Sequence, residues 1–325
     1  MRASEEFDGL DAAALHPQLK HALAPQVEQV QAAHYFQACA SLREDVKAGL
    51  RKALGLEHEL FVLHNTTSGL LSALLALARM GLRMTRRGER RQHYPPYLPL
   101  LPEANTDALT EGPRVTFVTH VSPLTGRVET LEKAPGEVLW VDAAQSLGTN
   151  LTEEMSRQAD LFIAPLHKHV GLAVGAGLVG LRRGIPGEEE LRAIFSLAEG
   201  GSAHVGLLKA LLDALRSAQG LVYNKARLSL DERFQSLCTE ARLMPLGSLE
   251  SGVPFVCLTS SNGQPLEKLV NPKKAHARYF KAENILRLSF CHMARRQDPP
   301  VDFSEELVRR MATLVNRNGH GDEQQ

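Results

Sequence analysis

Val138-Leu139-Trp140-Val141-Asp142-Ala143-Ala144-Gln145-Ser146 is an apolar run that ends on an acid and turns at once into small and polar residues. Such a run reads as a buried strand. A second apolar run follows and ends in His167-Lys168-His169. An acid closing one buried strand and a lysine just beyond the next are the pair a pyridoxal phosphate site requires. The lysine amine forms a Schiff base, and the carboxylate keeps the pyridine nitrogen protonated.

The wording around the pair carries a resemblance. Asp142-Ala143-Ala144-Gln145-Ser146-Leu147-Gly148 is followed by Ala159-Asp160 and then His167-Lys168. This order is similar to that of the class V aminotransferase family of fold-type I pyridoxal-phosphate-dependent enzymes, which includes cysteine desulfurases and isopenicillin N epimerase. The resemblance implies an α/β fold with a large domain on a mostly parallel seven-stranded sheet and a small C-terminal α+β domain. The expected division is an N-terminal arm at 1–30, the large cofactor-binding domain at 31–223, the small domain at 224–318 and a disordered tail at 319–325. A homodimer with the active site at the subunit interface is implied as well.

The chain has 325 residues, 43% of them apolar, enough for one large domain and a smaller one. Lys+Arg and Asp+Glu both number 37, so no global field recruits nucleic acid or an acidic membrane. The run Arg83, Arg86, Arg87, Arg90, Arg91 is expected to be a solvated helix end and loop, since no nucleic-acid motif accompanies it. The N-terminus lacks the apolar core of a signal peptide, and no apolar stretch reaches membrane-spanning length. Four scattered cysteines without a C-x-x-C pair indicate neither a disulfide framework nor a zinc site. A cytoplasmic location is expected.

Ser41-Leu42-Arg43-Glu44 has the form of a capping box, predicting a helix from there to about Leu54. Leu60–Leu63 reads as a buried strand leading into His64-Asn65-Thr66-Thr67-Ser68-Gly69 and a leucine-rich helix. Small polar residues at such a turn expose backbone N–H groups at the positive end of a helix, where a phosphate is held. Thr66 or Thr67 could instead cap the helix. The resemblance makes both threonines phosphate ligands. From Arg79 to Pro113 no period is legible, and irregular structure is expected. The resemblance places a ring over the cofactor from this region, with His93, Tyr94 and Tyr97 as candidates.

Val115–His120 reads as a strand entering Val121-Ser122-Pro123-Leu124-Thr125-Gly126. Pro123 stands where the family often has an asparagine, which leaves Gln145 for the oxygen of the cofactor ring. Pro165 stands where many members carry a phosphate-binding serine, so phosphate binding falls to Thr66, Thr67, His167 and whatever a partner subunit supplies. Gly171–Gly180 lacks the following helix of a dinucleotide fingerprint and reads as a turn returning as a strand. Ser202, before the helix Val205–Ser217, is the candidate for a phosphate contact across a dimer; it could also cap that helix.

Asn284–Phe290 reads as a strand carrying Arg287, ahead of a helix at Ser304–Val315. In the family the matching arginine grips the substrate's α-carboxylate, a task suited to a planar guanidinium fork; a structural ion pair is the plainer role.

The expected function is therefore that of an enzyme using pyridoxal 5'-phosphate on the α-amino group of a small amino acid, with Lys168 and Asp142 catalytic. Thr66, Thr67, Asp142, Gln145, His167, Lys168 and Ser202 would bind the cofactor, Arg287 would bind substrate, and no metal is expected. Aminotransferase-like chemistry leads, ahead of a lyase or epimerase. A persulfide-forming desulfurase is less expected because Cys257 lies in what reads as a buried strand. A non-catalytic, cofactor-binding regulator is the further alternative, motivated by Pro123 and Pro165.

Overall fold

The computed structural model describes residues 35–102, 114–172, 175–200, 205–229, 231–247, 252–270 and 277–315. The expected arm at 1–30, the tail at 319–325 and Ser202 lie outside the described residues.

The first part of the chain runs α1 (Tyr35–Leu54), β1 (Glu59–Leu63), α2 (Thr66–Arg79), β2 (Met84–Arg86), β3 (Arg114–Thr119), β4 (Glu137–Asp142), α3 (Thr152–Gln158), β5 (Leu161–Pro165), β6 (Gly177–Leu181), α4 (Glu188–Gly200) and α5 (Val205–Ser217). Its six strands form one sheet in the order β1-β6-β5-β4-β3-β2. Strands β2 to β5 run parallel to one another, while β6 runs antiparallel to both β1 and β5. The expected seventh strand is thus not found among the described residues.

Every residue of β4, β5 and β6 is buried, because helices cover both faces. Val118, Leu139 and Val141 face α1 and α5, whereas Phe117, Trp140 and Ile163 face α2 and α4. The Phe117 and Trp140 rings meet edge to face at 5.0 Å.

Three local expectations need correction. Ser41–Glu44 does not open the first helix, which already runs from Tyr35. Ala38, Cys39 and Leu42 pack into the core, and that apolar face carries the helix through the capping-box residues. Met84–Arg86, read as irregular, is an edge strand pairing with Val115–Phe117; three residues are too few to show a period. Within the arginine run, Arg87 binds both carboxylate oxygens of Glu137 at 3.1 and 3.2 Å, so it is a structural ion pair and not a solvated side chain.

The second part continues with β7 (Tyr223–Asn224), β8 (Ala226–Arg227), α6 (Glu232–Glu240), β9 (Leu243–Leu246), β10 (Phe255–Ser260), β11 (Arg278–Phe280), β12 (Ile285–Ser289), β13 (Met293–Ala294), β14 (Val301–Asp302) and α7 (Ser304–Val315). An antiparallel sheet, β11-β12-β10-β9, shares an apolar cluster with α6 and α7. A further cluster joins it to the large sheet: Val121 and Leu124 beyond β3 meet Phe255, Cys257 and Ile285.

Glu199, at the end of α4, is almost fully buried and ties three elements. Its Oε1 accepts from the Val62 N–H of edge strand β1 at 2.6 Å, and its Oε2 accepts from Lys47 Nζ of α1 at 2.7 Å. Glu199→Ala is therefore expected to destabilise the fold by about 3 kcal/mol in chemical denaturation, because it leaves the buried Val62 N–H without its acceptor and strips the buried Lys47 of its closer carboxylate, leaving it only Glu44 at 3.1 Å. Glu199→Gln, which keeps one acceptor, should lose less.

Candidate active site

The carboxyl ends of β4 and β5 lie side by side, with Asp142 opposite Ile163 and the Ala143 N–H donating to the Ile163 carbonyl at 2.8 Å. Asp142 is 2% exposed. Its Oδ1 accepts from the Ala144 N–H at 3.0 Å. Burial pushes its carboxyl above the usual carboxylate range, while that N–H and the positive charge of Lys168 pull the other way. Lys168 is half-buried in a loop fixed by its own backbone: Leu166 N–H donates to Ala176, Leu172 N–H to Leu166, and Gly171 N–H to Lys168. His167 is held down to about 4 by burial and by neighbouring Lys168, and its buried Nδ1 has no partner among the described residues.

Asn65, not Thr66 or Thr67, caps α2. Its side chain accepts from the Ser68 N–H at 2.8 Å and from the Ser68 hydroxyl at 3.2 Å. The cap satisfies the third helical N–H and leaves those of Thr66 and Thr67 pointing off the positive helix end, the arrangement that holds a phosphate. The turn sits tightly against β6. A Cβ on Gly177 would lie 2.4 Å from the Asn65 carbonyl carbon and 2.8 Å from the Thr66 nitrogen. Gly148, at φ +82°, does the same at the other wall, where a Cβ would come within 2.6 Å of the Val170 nitrogen.

Tyr97 is the ring that the fold brings to this place. It is buried, and burial, helped by the charge of Asp142, pushes its hydroxyl up while Thr67 pulls the other way. His93 instead is fully buried beside Phe117, its Nδ1 within 2.9 Å of the Thr119 hydroxyl. Tyr94 is exposed and meets Tyr97 edge to face at 5.1 Å.

Gln145 is buried, and its Oε1 accepts from His169 Nε2 at 2.9 Å. The His169 ring stacks on Phe255 at 6.3 Å and 7°. Arg287 of β12 also meets Phe255, its guanidinium 5.4 Å from that ring and 5.0 Å from Phe280. Arg287 Nη1 donates to the backbone carbonyl of Pro123 at 2.9 Å, which ties the loop after β3 to β12. Asp142, Lys168, Gln145, Thr66, Thr67, His167 and Arg287 thus all fall on the loops at the carboxyl ends of β3, β4 and β5, on the turn into α2, or on the strand facing them. His169 and Asn65 were not singled out by sequence. An asparagine at a strand-to-helix turn is a legible cap signal; a lone histidine beside a lysine carries none.

A family signature matches residues 19–317. The chain belongs to DUF6024, a family of unknown function. No curated protein matches this DUF6024 chain. Solved structures do. A cystine C–S lyase, C-DES, in complex with its reaction product cysteine persulfide, superposes with a TM-score of 0.63 at 15% identity, covering 96% of this chain and 98% of that one. An alanine–glyoxylate aminotransferase from Nostoc sp. gives 0.61 at 16%, covering 93% and 92%. A cysteine desulfurase from Thermococcus onnurineus NA1 gives 0.59 at 16%, covering 94% and 89%. The DUF6024 chain therefore has the α/β architecture of the fold-type I pyridoxal-phosphate enzymes.

The residues present fit the cofactor that this fold implies. A buried carboxylate whose burial disfavours its charge is restored by a cation against it, as a protonated ring nitrogen would be. The α2 turn offers donors for a phosphate, and Lys168 offers the amine. Gly177→Ala is expected to weaken binding of pyridoxal 5'-phosphate at least tenfold in calorimetric titration, since the added methyl must push the Asn65–Thr66 turn out of place.

His120, fully buried at the end of β3, has no hydrogen-bond partner at either ring nitrogen among the described residues, and burial lowers its pKa to about 4. The unfolded chain, titrating near 6.5, binds the extra proton first, so stability falls as pH drops from about 6.5 towards 4. His120→Phe removes this term without orphaning a partner. At pH 5 the variant should recover about 2 kcal/mol relative to its comparison with wild type at pH 7, read by denaturant unfolding at the two pH values.

Proposed function

We propose that this protein is a pyridoxal-phosphate-dependent enzyme acting on the α-amino group of a small amino acid, with aminotransferase-like chemistry. The observation that carries the reading is the pairing, at adjacent strand ends, of a buried Asp142 with the Lys168 charge that acts on it. Bound there, the cofactor would supply an electron sink for the bond broken at the substrate's α-carbon.

The chain's own residues divide the remaining work. Asp142 would hold the cationic ring nitrogen, and Thr66, Thr67 and the N–H groups of α2 would bind the phosphate. His167, neutral at physiological pH, would face the cofactor through the nitrogen that has no protein partner among the described residues. Tyr97, buried beside Thr67, would wall the ring. Lys168 would carry the cofactor and, once displaced by substrate, move the α-proton. Arg287 would orient the α-carboxylate, the task to which a planar guanidinium fork is suited.

A homodimer is part of the reading. Leu71 and Leu75 of α2 and Leu197 of α4 stand exposed, the last at 79%, on two helices that pack together beside the α2 turn. The same dimer would bring Ser202 of the partner subunit to the phosphate. A cysteine nucleophile, as a persulfide-forming desulfurase needs, is disfavoured. Cys257 is fully buried in β10, and burial pushes the Cys238 and Cys291 thiols up to about 12. No described helix is long and apolar enough to cross a membrane.

The test is a visible spectrum of the cofactor-saturated protein against a panel of amino acids. Wild type should show a Lys168-dependent visible band that Lys168→Ala abolishes, and one class of amino acid should bleach it. Accumulation of the amine form of the cofactor supports transamination. Release of ammonia or sulfide would move the assignment to a lyase, and a band indifferent to every amino acid would move it to a non-catalytic binder. No Lys168-dependent band in saturated wild type would end the reading.

A further inference from the structure

We propose that His169, fixed by Asn224, is a positioning residue that sets the orientation of the Gln145 amide, so that Gln145 presents its NH2 and not its oxygen on the side away from the imidazole. The inference rests on the reading that Gln145 serves the oxygen of the cofactor ring, and it deepens that reading by naming what holds the donor in place.

Backbone groups decide the orientation, because an N–H can only donate and a carbonyl can only accept. The N–H groups of Ala226, at 3.2 Å, and His292, at 3.0 Å, both reach one atom of the Asn224 side chain, which is therefore its oxygen. The other atom is the NH2, and it donates to the Phe290 carbonyl at 2.9 Å. Its second hydrogen meets His169 Nδ1 at 3.3 Å, so that ring nitrogen carries a lone pair. The imidazole is then neutral with its proton on Nε2, and Nε2 donates at 2.9 Å to Gln145, where only Oε1 can receive it. A flipped Gln145 or an imidazolium would set donor against donor among residues that are all essentially buried.

The path also has an origin that matters. Phe290 and His292 lie just past β12, the strand of Arg287, and Asn224 belongs to β7. The strand proposed to orient the substrate carboxylate therefore holds Asn224, which holds His169, which holds Gln145. The ring of Phe255 touches both His169 and Arg287, stacked on the imidazole and 5.4 Å from the guanidinium.

Two measurements test this. In ¹⁵N-histidine NMR of the cofactor-free full chain, the His169 signal, assigned with His169→Gln, should report the neutral Nε2–H tautomer across the neutral pH range. The Nδ1–H tautomer or an imidazolium would overturn the proposal. In the cofactor-loaded protein, Gln145→Leu should raise the pH midpoint of the visible band by about one unit, tenfold in the equilibrium, through loss of a donor to the ring oxygen. His169→Phe should give a similar rise, the double variant no more than either alone, and His169→Gln, which keeps a donor, should stay near wild type. An unshifted midpoint in folded His169→Phe, or additive shifts in the double variant, would overturn it. If His169→Phe does not fold, Asn224→Leu takes its place with the same expected shift. If no visible band forms in any variant, the cofactor reading fails on its own, and the tautomer still decides the His169–Gln145 arrangement.

Discussion

Asp142 closes a strand whose every residue is buried, and its carboxyl has been taken almost wholly out of water. A carboxylate there keeps its charge only if something positive stands against it, and the protein supplies one N–H and the field of a lysine on the next loop. The remaining pieces of the site follow from the same constraint. The two loops that carry the acid and the lysine must lie flush, and the turn into α2 must come equally close to the strand ends.

Two glycines meet those demands in different ways. Gly148 combines a left-handed backbone with a contact that no side chain could share, so the Asp142 turn rests directly on the chain after Lys168. Gly177 has no such backbone requirement; what matters there is only the absence of a Cβ. Both contacts are between backbones, and this makes the relative position of the two walls insensitive to the identity of the side chains that line them.

Much of this was legible in the residues. Apolar runs ending in Asp142 and before Lys168 could be read as buried strands because they are short, continuously apolar and bounded by turn residues, and Arg287 stood out as a guanidinium amid apolar strand residues. The parts that escaped were set by tertiary contact. The first helix extends to Tyr35 because Cys39 finds a core, β2 exists because β3 offers it an edge, and Arg87 is structural because Glu137 lies across from it. Tyr97 could not be chosen over His93 and Tyr94 until the chain from Pro95 to Leu100 had been folded into a 3₁₀ turn against α2. His169 was invisible for the same reason, since its partners come from three segments distant in sequence.

The antiparallel placement of β6 has a temporal side. Among the described residues β1 joins the sheet through β6 alone, and β6 also supplies the glycine against which the α2 turn is seated. During synthesis β1 and α2 emerge first, yet their seat does not exist until residues 177–181 have been made and inserted between β1 and β5. Contacts of such sequence separation form late. An apolar strand and a leucine-rich helix therefore wait exposed while more than a hundred residues are added, the interval in which a nascent chain most needs shielding from its neighbours.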